Sequence, residues 1–285
     1  HFRIMKVAIV GYGFVGKALS DGFLNTVEVF KIDPKLNTNI NEIKSFKPKI
    51  IFICLPTPMN DDSSQDISLV QEAMKEISQM NINSLVVLKS TVLPDNLDQL
   101  SILKKDFVYN PEFLREKHAK EDFINSSLIV FGGQKEKCKD LANFYTNHTR
   151  CLSKEYLFTD KITASLIKYT INSFLSTKVS FFNELHNLFT NSGSKDSWEN
   201  FTKMISFDNR IGDSHMQVPG HDGRFGFGGA CLPKDSKAFL LYSEYKLAEL
   251  SVLKAAINTN NKIRAKYNKK TDREAEQNVN FKGDI

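Results

Sequence analysis

Residues Gly11-Tyr12-Gly13-Phe14-Val15-Gly16 leave the chain few choices of fold. They follow an apolar, β-branched run, Lys6–Val10, and open a segment, Gly16–Leu24, with apolar residues at helical spacing. Glycines at that spacing permit a tight strand-to-helix turn, the approach of a pyrophosphate to backbone N–H groups, and close packing of helix on strand. The helix N-terminus favours the negative phosphates. Alone, the spacing also fits a glycine turn in an unrelated α/β domain. Here Asp33 closes the next strand, where an acidic side chain accepts ribose hydroxyls and repels a 2′-phosphate. The segment is therefore read as a dinucleotide site that prefers NAD over NADP.

Further apolar runs occur at Val27–Ile32, Ile50–Cys54, Leu85–Leu88, Phe107–Tyr109 and Leu128–Phe131, with a helical pattern at Ile67–Met80. Strand–helix alternation predicts a parallel sheet covered by helices on both faces. In such a sheet ligands sit outside the carboxyl ends of the strands. The unusual segments occur there: Cys54-Leu55-Pro56-Thr57-Pro58, Lys89-Ser90-Thr91-Val92 and Asn110-Pro111-Glu112-Phe113-Leu114-Arg115-Glu116. Each proline by itself reads as a strand end; three such loops on one edge predict a shaped crevice.

The second half changes character. Asp160–Phe189 carries apolar residues at helical period without Gly or Pro, and Asp160 is placed to cap its start. A polar stretch, Thr190–Asn200, and a Gly-rich loop, Gly220–Gly229, precede a second helical pattern running unbroken from Asp235 to about Tyr267. The tail Asn268–Ile285 is polar and expected to fray. The boundaries so drawn are 1–158, 159–270 and a polar tail at 271–285. Residues ahead of Met5 read as a tag remnant.

Composition excludes several classes. No apolar run is long enough to span a membrane and no signal-peptide pattern opens the chain, so the expected location is a reducing cytoplasm. The net charge of +5 is spread along the chain with no aromatic-basic module, which argues against nucleic-acid binding. Cys54, Cys138, Cys151 and Cys231 have neither metal-ligand nor redox spacing, and no metal is expected.

The sharpest segment is Gly226-Phe227-Gly228-Gly229-Ala230-Cys231-Leu232-Pro233-Lys234-Asp235. Its glycines let backbone approach a ligand closely. Cys231 stands near the start of a long helix beside Lys234, and both features favour a thiolate. Asp235 could orient a water or accept a proton. The other three cysteines read as small buried hydrophobes. Lys168 and Asn172 share one helical face among Leu166, Ile167 and Ile171. Two readings stand for them: a solvated Lys beside a polar Asn, or a Lys holding charge on a reacting oxygen. Glu112 and Glu116 have the same spacing and could supply a proton acceptor and position a water.

From Met5 to about Arg264 the chain resembles the UDP-glucose/GDP-mannose dehydrogenase family. The resemblance rests on Gly11–Gly16, Cys54–Pro58, Ser90-Thr91-Val92, Asn110–Glu116, Leu166–Asn172, Phe181-Phe182-Asn183-Glu184, Asp208–Gly212 and Gly228–Asp235. It implies a Rossmann-type doubly wound parallel sheet followed by an all-helical central, dimerising domain. It implies two NAD-dependent oxidations of a nucleotide-sugar C6 alcohol to the uronate, with UDP-glucose the expected substrate. Cys231 would attack the aldehyde to give a thiohemiacetal and then a thioester that water hydrolyses. Lys168 would stabilise the oxyanion, Asn172 and Asp235 would hold the water with Thr91 and Glu116 near, and Glu112 would be a general-base candidate. The implied cofactor set is Gly11, Gly13, Phe14, Val15, Gly16, Asp33, Lys35, Cys54, Pro56, Thr57, Ser90, Thr91 and Lys234. For the nucleotide-sugar it is Glu112, Phe113, Leu114, Lys168, Asn172, Arg210, Phe225, Gly228 and Cys231.

Three departures qualify the resemblance. Lys117 stands where the family usually has Gly, and Val218–Phe225 is less typical than the Gly-rich segment after it. The family carries a third, nucleotide-binding domain after the long helix; this tail shows no start of a further strand and reads as a natural end. Two alternatives remain: a β-hydroxyacid-type dehydrogenase, which also uses Lys-x-x-x-Asn but needs no nucleophilic Cys, and an NAD-binding protein without turnover. A homodimer is expected through the helical domain, because Phe239, Leu240, Leu247, Leu250, Leu253 and Ile257 offer an apolar stripe.

Overall fold

The computed structural model describes residues 4–282. The expected tag remnant falls mostly on residues 1–3, outside that range. The chain forms two compact units, one of residues 1–57 and 66–168, the other of 58–65 and 169–285. The division between these units falls inside a helix, after Lys168.

The first unit runs β1 (Met5–Val10), α1 (Phe14–Asp21), β2 (Val27–Ile32), α2 (Ile43–Phe46), β3 (Ile50–Ile53), α3 (Ser68–Gln79), β4 (Leu85–Leu88), α4 (Pro94–Leu103), β5 (Val108–Tyr109), α5 (Ala119–Ile124), β6 (Val130–Gly132), α6 (Lys135–His148) and β7 (Leu157–Thr159). It ends in the first turns of α7 (Lys161–Asn191). The strands lie in the order β2-β1-β3-β4-β5-β6-β7.

Alternation along the strands builds two cores. Ala8, Val10, Ile51, Ile53, Val86 and Leu88 face one side, with Val70, Met74 and Ile77 of α3 and Leu97 and Leu100 of α4. Val7, Ile9, Ile50, Phe52 and Val87 face the other, with Ala18 and Leu19 of α1, Phe123 of α5 and Leu141 and Phe144 of α6. Opposite faces of one strand thus feed separate apolar layers, as the period of two requires.

β1 pairs in parallel with both β2 and β3, so the order reverses at β1/β3, a topological switch point. Two features depart from the expected all-parallel sheet. β6 joins β5 antiparallel through Tyr109↔Gly132, and β7 adds an unexpected edge strand parallel to β6. Edge strands of mixed direction are common on parallel sheets, and the partly exposed Leu157–Thr159 is too short for a periodic signal.

The second unit packs the remainder of α7 with α8 (Trp198–Ile205), α9 (Leu232–Tyr245), α10 (Ser251–Arg264) and α11 (Asp272–Glu276). Asp160 caps α7 as expected: its Oδ1 accepts the Thr163 N–H at 2.8 Å and its Oδ2 the Thr163 hydroxyl at 2.7 Å. Phe182, Trp198, Met216 and Val218 form the core between α7, α8 and the loop after α8.

Three expectations are corrected here. The stretch read as polar contains the start of α8, capped by Ser197, whose hydroxyl accepts the Asn200 N–H. The pattern read as one helix from Asp235 is two, α9 and α10. Leu247 takes φ +55°, Ala248 N–H donates to the Ser243 carbonyl, and Leu247 N–H to the Glu244 carbonyl. These bonds form a Schellman-type stop made without glycine. The turn lets the two helices bury most of the apolar stripe on each other, with Leu240, Leu253 and Ile257 in a shared core flanked by Phe239 and Leu250 and only Leu247 left outside. Over its described residues the tail after Lys270 is anchored: Thr271 and Glu274 form a capping box for α11, and Glu274 and Val279 are fully buried, while 283–285 lie outside the described residues.

Candidate active site

In the first unit the glycine turn has the predicted character. Gly11 sits at φ +91°, and a Cβ there would come within 2.6 Å of the Cys54 carbonyl oxygen; one on Gly16 would come within 2.4 Å of the Gly11 carbonyl oxygen. A Cβ on Gly13 would meet no protein atom within 4 Å, so packing does not dictate that glycine. Close backbone approach to a bound dinucleotide would account for it. The first turn of α1 carries no side-chain cap and no acidic residue. Asp33 locks to the turn, its Oδ2 accepting the Tyr12 N–H at 2.9 Å and its Oδ1 the Lys35 N–H at 2.9 Å. These residues fit a dinucleotide: Gly11–Gly16 would hold the pyrophosphate and Asp33 the ribose.

The loops after β3, β4 and β5 are tied together. Thr57 Oγ1 donates to the Thr91 carbonyl at 2.8 Å, and Ser165 Oγ of α7 to the Val92 carbonyl at 2.7 Å. Cys54 is half-buried, and desolvation pushes its thiol up to about 12 against the pull of Lys89, so it is protonated at neutral pH. Glu112 is buried in the loop after β5. Its Oε2 accepts the Leu114 N–H at 2.6 Å, and its Oε1 pairs with Lys168 Nζ at 3.3 Å. Lys168 is buried as well and lies 5.4 Å from the Phe113 ring centre. Of the two readings left open for Lys168, the solvated one is excluded. Glu112 and Glu116 share no helix face, because Asn110–Arg115 is an open loop and Glu116, exposed, begins a separate 3-10 turn.

In the second unit Cys231 is the N-terminal cap residue of α9, half-buried, its carbonyl accepting the Asp235 N–H at 2.9 Å. One turn on, Asp235 is buried, with Oδ1 accepting from Lys234 Nζ at 2.6 Å and Oδ2 from Asn172 Nδ2 at 2.7 Å. The Lys234 charge expected to act on the thiol is thus directed at a carboxylate. Arg210 projects from an exposed loop, its guanidinium on both oxygens of Asp208. Phe225 is anchored through its N–H, which donates to the Tyr267 hydroxyl at 2.9 Å.

Sequence reading gave no structural role to the polar side chains that hold these pieces, although Lys89, Asn110 and Asn183 lie in the segments it singled out. Lys89, buried at the end of β4, donates to Asn110 Oδ1 at 2.9 Å, and Tyr145 donates to the same oxygen at 2.7 Å. Burial lowers the Lys89 pKa. Asn183 accepts the Gly226 N–H at 2.8 Å, while Asn260 accepts the Phe227 N–H at 2.7 Å and returns a bond to its carbonyl. The available signals were a lysine ending an apolar strand and asparagines inside an amphipathic helix.

The sheet and its glycine turn define a Rossmann-type dinucleotide-binding unit, followed by a helical unit that presents a cysteine at a helix start. Residues 33–148 match the UDP-glucose/GDP-mannose dehydrogenase family's NAD binding domain, and residues 162–262 match that family's central domain. The chain belongs to the UDP-glucose/GDP-mannose dehydrogenase family. It is similar to a UDP-glucose 6-dehydrogenase of Rickettsia bellii, 36% identical over 217 residues, which is 74% of this chain and 48% of that protein. It therefore spans about half the length of the relatives it matches. A UDP-glucose dehydrogenase structure from Pyrobaculum islandicum superposes with a TM-score of 0.74 at 25% identity, covering 90% of this chain and 68% of that one. A 3-hydroxyisobutyrate dehydrogenase from Mycobacterium tuberculosis shares the fold, at a TM-score of 0.70 and 14% identity, covering 98% and 97%. Among the described residues, no helix is long and apolar enough to cross a membrane.

Proposed function

We propose that the chain oxidises the C6 alcohol of a nucleotide-sugar to the carboxylate in two steps, with UDP-glucose the first substrate to test. The observation that carries this reading is Cys231 at the start of α9 with the buried Asn172–Asp235–Lys234 group one turn away. NAD, when bound, supplies the hydride acceptor for each oxidation. Lys168, buried and charge-paired, stabilises the oxygen that carries negative charge in both steps. Glu112 keeps the Lys168 ammonium in place and takes the proton of the alcohol. The Cys231 thiol adds across the C6 aldehyde as a thiohemiacetal. Loss of the C6 hydrogen as hydride and of the hydroxyl proton to solvent leaves a thioester, and water releases the carboxylate and restores the thiol. Asn172 and Asp235 hold that water, and Thr91 is kept as a further member of the set. Glu116, being exposed, is left out of this set, and Arg210 is kept as a nucleotide-sugar contact from its exposed loop.

The test is a screen of UDP-glucose and other nucleotide-sugars for NADH production, with NAD and NADP titrated by calorimetry. Turnover with one of them and tighter NAD than NADP binding is expected; a preference for NADP, or turnover only with small β-hydroxyacids, overturns the reading.

We further propose a homodimer. Apart from the exposed Leu247, the stripe expected to drive it is used inside the α9–α10 pair, but α7 exposes Phe174, Phe181 and Leu188, at 68%, 58% and 65% and spaced by seven residues. Heptad spacing keeps large apolar side chains on one line along a helix, which suits pairing with the same helix of a second copy.

A further inference from the structure

The segment after α10 lies beyond the matched central domain, residues 162–262, and reaches back to the glycine loop ahead of Cys231. Glu274 is fully buried and divides its carboxylate between two tasks. Oε2 accepts the Thr271 N–H at 2.8 Å and closes the capping box of α11. Oε1 accepts the Gly229 N–H at 3.3 Å and lies 3.6 Å from Arg264 Nη1. Arg264 in turn holds the same loop at two further points, donating to the Gly226 carbonyl at 3.1 Å and pairing with Asp222 at 2.7 Å. The fit is tight: a Cβ on Gly228 would stand 2.4 Å from Glu274 Oε1 and 2.6 Å from the Arg264 guanidinium.

The rest of the tail is secured independently of Glu274's side chain. The Gln277 carbonyl accepts the Met59 N–H at 3.0 Å, Asn278 donates to the Met59 carbonyl at 2.9 Å, and Lys237 donates to Asn280 Oδ1 at 3.2 Å. A change at the Glu274 carboxylate would therefore loosen the glycine loop and the start of α11 while residues 277–280 stay held.

We infer that Glu274 is a positioning residue which, with Arg264, clamps Gly226–Gly229 and so sets where the Cys231 thiol is presented. A buried carboxylate facing a backbone N–H and a guanidinium resists displacement, because moving the loop would strand all three groups away from water. The inference rests on the reading of Cys231 as the reacting thiol, and one of its two readouts is independent of that reading.

The experiment compares wild type with Glu274→Ala, Glu274→Gln and Glu274→Asp in the full chain. Amide hydrogen exchange is followed in the 225–231 segment, and iodoacetamide labelling of Cys231 is measured against Cys54 by peptide mass spectrometry. Glu274→Ala should speed exchange in that segment roughly tenfold or more and shift the Cys231/Cys54 labelling ratio severalfold. Glu274→Gln keeps an oxygen toward Gly229 and should return both to within roughly threefold of wild type. Global loosening would instead raise labelling at both cysteines, draw their rates together and speed exchange outside the 225–231 segment as well. If the Ala variant does not fold, Gln and Asp decide: the shorter Asp cannot span to Gly229 and should exchange faster than Gln. Unchanged exchange in a cooperatively melting Ala variant, or Gln no closer to wild type than Ala or Asp, overturns the clamp. Labelling of wild-type Cys231 no faster than Cys54 overturns the thiol reading instead, while the exchange measurement still decides the clamp.

Discussion

Two charged side chains buried in the helical unit show what single residues contribute. Asp235 holds Lys234 and Asn172 at once, both within hydrogen-bonding distance. Removing one partner of a buried pair strands the other charge, so Asp235→Ala should cost about 3–5 kcal/mol in urea unfolding, and Asp235→Asn distinctly less. A loss of less than about 1 kcal/mol would mean that Lys234 finds water instead. Lys237 is buried against the tail, and burial, with Lys270 nearby, lowers its pKa to about 8. The unfolded chain then binds more protons than the folded one between about pH 8 and the ordinary lysine value of about 10.4, so this residue makes stability rise with pH across that window. Wild type should gain on the order of 1–3 kcal/mol there relative to Lys237→Met; parallel stability curves for the two proteins would contradict the assignment. At this scale the sequence was most informative where chemistry is local. The glycines, Asp33 and Cys231 declare themselves by spacing. The Lys89–Asn110–Tyr145 knot joins residues far apart in the chain, and nothing in their neighbourhoods marks them as partners.

Elements were legible in proportion to their length and to the chemistry of their ends. The core strands and α7 follow from periodicity, and Asp160 gave the start of α7 correctly. The stop between α9 and α10 was hidden because Leu247, not glycine, takes the left-handed conformation there. That geometry can be tested directly. Leu247 is 96% exposed and packs on nothing that must be kept. Leu247→Gly should therefore be neutral to stabilising by about 0.5–1 kcal/mol, since a left-handed leucine is strained by roughly 1–2 kcal/mol. In an unbroken helix the same change would cost about 0.5–1 kcal/mol, and a loss of that size would restore the single-helix reading. The order of the tail was legible and overlooked: Thr271-Asp272-Arg273-Glu274 is a capping-box sequence. The α7 stripe carries a prediction of its own. Phe181→Glu should convert a dimer to a monomer in sedimentation velocity at micromolar concentration, whereas Leu247→Glu, on the α9–α10 turn, should not. A wild-type monomer would end the dimer proposal.

The whole molecule combines a dinucleotide-binding sheet, whose unit carries the buried Glu112–Lys168 pair, with a helical unit that carries the Cys231 turn. The fold class was readable because hydrophobic alternation and glycine spacing are properties of short segments. The antiparallel β6 and edge strand β7 were not, since they depend on pairing between distant parts of the chain. Membership in the family rests on matches across both units, while activity on a nucleotide-sugar is the reading to be tested. The β-hydroxyacid alternative shares the fold and predicts one oxidation per substrate. A covalent thiol route predicts two, because the aldehyde must first become a tetrahedral adduct before a second hydride can leave. The deciding measurement is NADH formed per nucleotide-sugar consumed, with the product identified by mass, in wild type and Cys231→Ala. A covalent role for Cys231 predicts a ratio near two and a carboxylate product for wild type, with carboxylate formation lost in Cys231→Ala. A wild-type ratio of about one, or carboxylate made by Cys231→Ala at the wild-type rate, would contradict it.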